Sequence, residues 1–134
     1  MHTHMMQRRL IDVRRASGDD HGSPFLFVLG SARPEGNTEL LARRAAEQLP
    51  PDVGRQWIDL TADPLPDFED LRHDSDHVRP TEGPVARLLD ATLAATDVVI
   101  ASPLYWYSVS AQTKRYLDHW SGWLRTPAWT SIRP

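Results

Sequence analysis

The segment from Gly30 to Thr38 carries residue types that could bind an anionic ligand. It joins a run of apolar residues to a stretch with helical periodicity, so it ends where a helix begins. At that position the free backbone amides and the positive end of the helix dipole favour a phosphate group. The residues of this loop that could hold a phosphate are Ser31, Arg33, Gly36, Asn37 and Thr38. The same residue types are common in ordinary turns and helix caps, so the loop alone leaves both interpretations open.

Two better-known phosphate-binding motifs are absent from the sequence. It contains no Gly-Lys-Ser/Thr tripeptide, which excludes a P-loop nucleoside triphosphatase, and no G-x-G-x-x-G pattern, so the dinucleotide-binding fingerprint is missing. The hydrogen-bond donors of the loop are mostly neutral, and this composition suits a phosphate monoester that is bound without a metal ion.

A second segment, from Ser102 to Ser110, contains three consecutive aromatic residues. Aromatic side chains in a loop can stack on a flat ring, and a proline would stiffen the turn that presents them. The residues that could line such a ring are Pro103, Leu104, Tyr105, Trp106 and Tyr107. The alternative is that these rings pack against the neighbouring helices, as aromatic residues commonly do.

The elements around these loops alternate between strands and helices. Apolar runs predict buried strands at 25–29 and 97–101, and residues 56–60 are predicted to form a further strand between them in the chain. Helices are predicted from Asn37 or Thr38, either of which can cap, to 49, then over 82–95 and 110–124, with a long irregular connection over 62–81. We expect two helices to bury their leucine-containing faces, which comprise Leu41, Ala45 and Leu49 in the first helix, and Leu117, Trp120 and Leu124 in the third.

This order indicates an α/β fold with a parallel sheet and right-handed crossovers. The expected architecture resembles the flavodoxin-like three-layer sandwich, in which the strand order is 2-1-3. In that order the loops after the first and third strands are neighbours at the carboxyl edge of the sheet. A site that offers amides to a phosphate and a flat wall to a ring fits flavin mononucleotide (FMN). The two loops together therefore favour FMN more strongly than either loop does alone.

Composition excludes several other classes of protein. The chain has 134 residues, a net charge of −3 and no cysteine, so disulfides, iron–sulfur clusters and thiol nucleophiles are excluded. We expect no nucleic-acid partner, since no basic stripe is present, and no membrane span, since no apolar run approaches about 20 residues. A cytoplasmic protein is expected, with residues 1–23 as a disordered extension, 24–125 as the domain and 126–134 as a tail.

The chain resembles the flavodoxin-like NAD(P)H-dependent FMN reductases and quinone reductases. The sequence GSARPEGNT at 30–38 is similar to their FMN-phosphate loop. The sequence SPLYWYS at 102–108, with AQTKRYLD at 111–118, is similar to their flavin-ring loop and the following helix. The resemblance implies that NADPH or NADH reduces FMN, which then passes electrons to a quinone, another flavin, or a nitro or azo compound. A homodimer or larger homo-oligomer is also expected.

The family fold has five parallel strands, whereas only the β1-α1-β2-α2-β3-α3 portion is found in the sequence. We expect a truncated chain, with strands supplied by a partner or a degenerate pseudoenzyme as alternatives. Two other functions stay open, a flavodoxin-type electron carrier and a non-catalytic module without flavin. No metal site is expected at His73 and His77, which are assigned to a solvated loop, and Asp118 and His119 are assigned to a helix surface.

Overall fold

The computed structural model describes residues 24–73 and 81–124 and contains three helices and five short strands within these ranges. The expected extension at 1–23, the tail at 126–134, and His77 lie outside the described residues. In chain order the elements are β1 (Phe25–Leu29), α1 (Asn37–Glu47), β2 (Arg55–Asp59), α2 (Gly83–Ala94), β3 (Asp97–Ala101), β4 (Leu104–Tyr105), β5 (Ser108–Val109) and α3 (Ala111–Trp123). Every predicted helix and strand is present, and only the β4–β5 hairpin was not predicted from the sequence. None of the described helices is both long and apolar enough to cross a bilayer.

The main sheet has the predicted order β2-β1-β3, and both pairs of strands are parallel. The central strand β1 is buried from Leu26 to Leu29, because its residues face helices on both sides of the sheet. Its continuous apolar sequence is therefore explained by burial on two faces. The predicted flavodoxin-like α/β fold is confirmed.

Each face of the sheet has its own hydrophobic core. On one face, Leu26 and Val28 pack with buried residues of α2 and α3. On the other face, Phe27 and Leu29 pack with α1, and the Phe27 ring stacks on Trp57 of β2 with 4.4 Å between the ring centroids. The two faces differ in the number of helices that cover them, with two on the first and one on the second.

The predicted buried face of α1 is wrong by one position. Leu41 is 71% exposed and Ala45 is also exposed, whereas Ala42 and Ala46 are buried against the sheet. The small side chains of Ala42 and Ala46 let the helix approach the sheet closely. The ring of Phe27 fills the remaining space between them from the strand side. Of the three predicted residues, only Leu49 packs against this core, where it is partly buried.

The buried face of α3 also differs from the prediction. Leu124 is exposed, and Leu117 and Trp120 are only partly buried. The buried residues of the helix are Thr113, Tyr116, His119 and Trp123. The Tyr116 hydroxyl lies 2.9 Å from Thr92 Oγ1 of α2 and is fully buried, and this burial raises the pKa of the Tyr116 phenol.

The assignment of His119 to the helix surface is also wrong, since this side chain is only 8% exposed. Its Nε2 lies 2.9 Å from the Pro66 carbonyl oxygen, and its ring meets the Phe68 ring edge-on. His119 thus attaches the irregular connection after β2 to α3. Asp118 does lie at the surface, where it pairs with Lys114 one turn earlier.

Arg55 connects the start of β2 to the end of α1. Its guanidinium donates hydrogen bonds to the carbonyl oxygens of Ala46 at 2.9 Å, Leu49 at 2.7 Å and Val53 at 2.7 Å. The last carbonyls of a helix have no partner within the helix, so a cation at this position satisfies them and interacts favourably with the helix dipole.

We expect Arg55→Met to lower the free energy of unfolding by about 2 kcal/mol, because it leaves half-buried carbonyl groups without these donors. Denaturation by urea measures the change. Arg44→Met is the control, since Arg44 is exposed on α1, the helix whose last carbonyls Arg55 binds, and its replacement should change stability by less than about 0.5 kcal/mol. Equal effects of the two substitutions would contradict the assigned role.

Candidate functional site

The two loops expected to bind a ligand start side by side at the carboxyl edge of the sheet. The Gly30 amide, directly after β1, donates to the Ala101 carbonyl at the end of β3 over 2.8 Å. The Ser110 hydroxyl, at the end of the second loop, donates to the Gly30 carbonyl over 2.6 Å. Gly30 is therefore bonded to both ends of the second loop, and the predicted adjacency of the loops is present.

The helix cap predicted at Asn37 or Thr38 is wrong. The N-cap residue is Gly36, and Asn37 and Thr38 belong to the first turn of α1. No side chain of the described residues caps this end of the helix. The amides of the first turn are thus left for water or a ligand, which is the property that an anion-binding helix terminus requires.

Ser31 and Arg33 shape the first loop. The Ser31 hydroxyl accepts a hydrogen bond from the Arg33 amide at 3.2 Å and donates to the Arg33 carbonyl at 3.1 Å. The Arg33 side chain is exposed, and its Cγ and Cδ lie 3.5 Å from the position that a Cβ on Gly36 would take. The five predicted residues of this loop therefore surround one helix terminus, with Ser31, Gly36 and Thr38 partly buried and Arg33 and Asn37 exposed.

An ion pair modifies the charge at this helix terminus. The Glu39 carboxylate accepts a hydrogen bond from the Glu35 amide at 3.0 Å and is bound by the Arg43 guanidinium at 2.6 and 2.8 Å. A lone carboxylate in the first turn would repel a phosphate dianion, but the Arg43 charge offsets that of Glu39. Glu35 has a positive φ of 53°, and the bond from its amide to Glu39 helps to hold this left-handed conformation.

The second loop is a β-hairpin that the sequence did not predict. Leu104 pairs with Val109 and Tyr105 with Ser108, which leaves Trp106 and Tyr107 as a two-residue turn. Both turn residues have positive φ, at 48° and 63°, as a type I′ turn requires. Such turns usually contain asparagine and glycine, so two aromatic residues give no sequence signal for one.

The aromatic residues of the hairpin project into solvent. Trp106 is 93% exposed and Tyr107 is 90% exposed, and their two rings meet edge-to-face. The alternative that these rings pack on neighbouring helices is contradicted by this exposure. Leu104 and Tyr105 are also exposed, whereas Pro103 at the base of the hairpin is partly buried. The hairpin therefore exposes a largely aromatic surface on a loop whose base adjoins the start of the first loop.

Sequence reasoning missed three of the residues that join the two loops, which are Ser102, Ser110 and Thr113, whereas the close approach to Gly30 that its missing Cβ permits was expected. Ser102 Oγ accepts a hydrogen bond from the Ser110 amide at 2.9 Å, which closes the base of the hairpin. Ser110 is the N-cap of α3, and its hydroxyl accepts from the Thr113 amide at 3.2 Å. A serine directly before a helical segment is a capping signal, but it does not reveal the contact with Gly30.

A parallel sheet of order 2-1-3 with two candidate ligand-binding loops at its carboxyl edge is typical of the flavodoxin-like class of α/β proteins. The family model described as NADPH-dependent FMN reductase matches residues 24–130, and the chain belongs to this family. It is 30% identical over 106 residues to YwqN of Bacillus subtilis strain 168, whose name describes an NAD(P)H-dependent FMN-containing oxidoreductase. That match covers 79% of this chain and 56% of the relative.

A solved structure has the same fold. It is the Trp repressor binding protein from Bacillus subtilis, with a TM-score of 0.53 and 23% sequence identity. The match covers 81% of this chain and 57% of that protein. The chain thus spans little more than half the length of either relative, and this structure supports the fold alone.

We expect Tyr107→Gly to raise the free energy of unfolding by about 0.5–1 kcal/mol, because glycine adopts positive φ without the strain that a side chain introduces. Urea denaturation measures the change. Tyr105→Gly is the control, since Tyr105 is a neighbouring aromatic in a strand and its replacement should lower stability. A loss of stability in both variants would show that the turn is not strained.

Proposed function

We propose that this chain forms the FMN-binding part of an NAD(P)H-dependent oxidoreductase of the flavin or quinone reductase type. The observation that carries the proposal is the hydrogen bond from Ser110 to the Gly30 carbonyl, since it joins the bases of two loops, one of which leads to an uncapped helix terminus while the other carries an exposed aromatic turn. Membership of the FMN reductase family and the name of the Bacillus relative support FMN as cofactor and NADPH or NADH as electron donor. Because the chain spans 56% of that relative, the activity of a whole protein is part of the proposal.

The first loop suits the phosphate of FMN. The first-turn amides of α1 would donate to its oxygens, with the side chains of Asn37 and Thr38 as further donors. The Ser31 hydroxyl shapes the loop and could turn toward the phosphate. Gly36 leaves the space that a Cβ would occupy beside Arg33, and the exposed guanidinium of Arg33 could close over the bound anion.

The second loop suits the flat ring of FMN. Trp106 and Tyr107 expose ring faces on which the flavin could stack, and Pro103, Leu104 and Tyr105 would extend the same wall. When bound, FMN supplies the redox chemistry, because it accepts a hydride from NAD(P)H and passes electrons to an acceptor. The role of the protein is to orient the flavin, so we assign no catalytic acid or base. The proposed acceptor is a quinone, another flavin, or a nitro or azo compound.

We expect the full chain to bind FMN and to quench its fluorescence on titration. Asn37→Ala should weaken binding about fivefold to tenfold, because it removes a donor to a charged group. Trp106→Ala should weaken it by about tenfold, because it removes the largest stacking surface. Arg44→Ala is the control on the outer face of α1 and should bind as the wild type does. A chain that is folded by circular dichroism but binds no FMN would refute the proposal.

Reduction by nicotinamide tests the enzymatic part of the proposal separately. Loss of the absorbance of oxidised flavin on addition of NADPH or NADH, followed by its return on addition of a quinone, would support a reductase. Binding of FMN without reduction by either nucleotide would restrict the function of this chain to holding the cofactor. We further propose that residues 24–125 are the FMN-binding domain, whereas the cytoplasmic location, the homo-oligomer and the absence of a nucleic-acid partner stay predictions from the sequence.

A further inference from the structure

A buried cluster of hydroxyl groups lies between the two loops, outside the surface that would touch FMN. We call Ser110 and Thr113 the hydroxyl pair, and both residues are fully buried. The Ser110 hydroxyl donates to the Gly30 carbonyl at 2.6 Å and makes a second hydrogen bond with the Thr113 hydroxyl at 2.9 Å. Polar groups that are buried in this way are costly unless they are hydrogen-bonded, so the pair has little freedom to change its geometry.

The pair is in close contact with the first residue of the phosphate-type loop. A Cβ built on Gly30 would lie 1.9 Å from Thr113 Oγ1 and 3.0 Å from Ser110 Oγ. No side chain fits at position 30 while Thr113 keeps this conformation. The absence of a side chain at Gly30 thus lets the start of α3 approach the end of β1 closely enough for the hydrogen bonds to form.

The same residues connect to the aromatic hairpin. Ser110 follows β5 directly, and its amide donates to Ser102 Oγ at the opposite end of the hairpin. The Thr113 amide donates to Ser110 Oγ, so the pair also fixes where α3 begins. A shift of the hydroxyl pair would therefore move the hairpin relative to Gly30.

We propose that Ser110 and Thr113 are positioning residues that set the spacing between the phosphate-binding and ring-binding loops. This inference rests on the proposed function, since it concerns how FMN would be bound by both loops at once. A ligand that reaches two sites gains affinity only when their separation matches its own length, because the second contact is then made at a high effective concentration. The pair acts through the loops and does not touch the ligand.

The test compares FMN with riboflavin, which has the same ring and no phosphate. The wild type should bind FMN more tightly than riboflavin, and the ratio of the two dissociation constants measures the benefit of the phosphate. Thr113→Val keeps the shape of the side chain and removes its hydroxyl. We expect this variant to lower the ratio at least about fivefold, because ring and phosphate can no longer be held together in register.

Thr92→Val is the matched control. Thr92 is also buried, and its hydroxyl makes hydrogen bonds to the Leu88 carbonyl and the Tyr116 hydroxyl, between α2 and α3. Its replacement should reduce stability comparably without changing the ratio. Thr113→Ser keeps a hydroxyl and should restore most of the ratio. An unchanged ratio in Thr113→Val, or an equal loss in Thr92→Val, would overturn the inference and leave the pair a structural role only.

Amide hydrogen exchange of the ligand-free chain separates this inference from the proposed function. The Gly30 and Ser110 amides both donate hydrogen bonds next to the pair. In Thr113→Val their exchange should speed up together, at least about fivefold beyond the change in global unfolding, and in Thr92→Val it should not. If the wild type bound no FMN, the proposed function would fail, and this measurement would still decide whether the pair couples the loops.

Discussion

Burial of β1 on both of its faces is the constraint on which the rest of the structure depends. The side chains from Leu26 to Leu29 are removed from water, and each large apolar side chain stabilises the fold by about 1.5–3 kcal/mol when it is fully buried. This burial requires a helix layer on each side of the sheet, which α1 provides on one face and α2 with α3 on the other. With β2 and β3 beside it, the carboxyl end of β1 lies at the centre of the edge where both loops leave the sheet.

The close approach of α3 to this central strand connects packing with the geometry of the proposed site. Gly30 has no side chain, Thr113 fills the space beside it, and Ser110 bonds to its carbonyl oxygen. The contacts that dock the start of α3 on the sheet are therefore the contacts that place one loop beside the other. A change at this junction should affect both the stability of the fold and the geometry of the site, and only comparison with a distant buried hydroxyl can separate the two effects.

The backbone conformation and the exposure of the hairpin turn do not stabilise the fold of the ligand-free chain. Trp106 and Tyr107 adopt the left-handed backbone conformation, which costs a residue with a side chain about 1 kcal/mol or more, and they bury almost none of their ring surface. Strained residues that gain nothing from local packing are found mainly at functional sites. The strain and exposure of this turn are consistent with a surface that is kept for a flat ligand, in agreement with membership of the FMN reductase family.

The sequence by itself determined the order of the elements, the α/β class and the two ligand-type loops. These features depend on local signals, namely continuous apolar runs for strands buried on both faces and turn residues at their ends. Only the tertiary structure decided that α1 buries Ala42 and Ala46 rather than Leu41, because the strands supply the bulk on that face. It also decided that His119 is buried, that Gly36 is the N-cap of α1, and that Ser110 and Thr113 meet Gly30. These contacts join residues far apart in the chain, and hydrophobic periodicity within one segment does not contain that information.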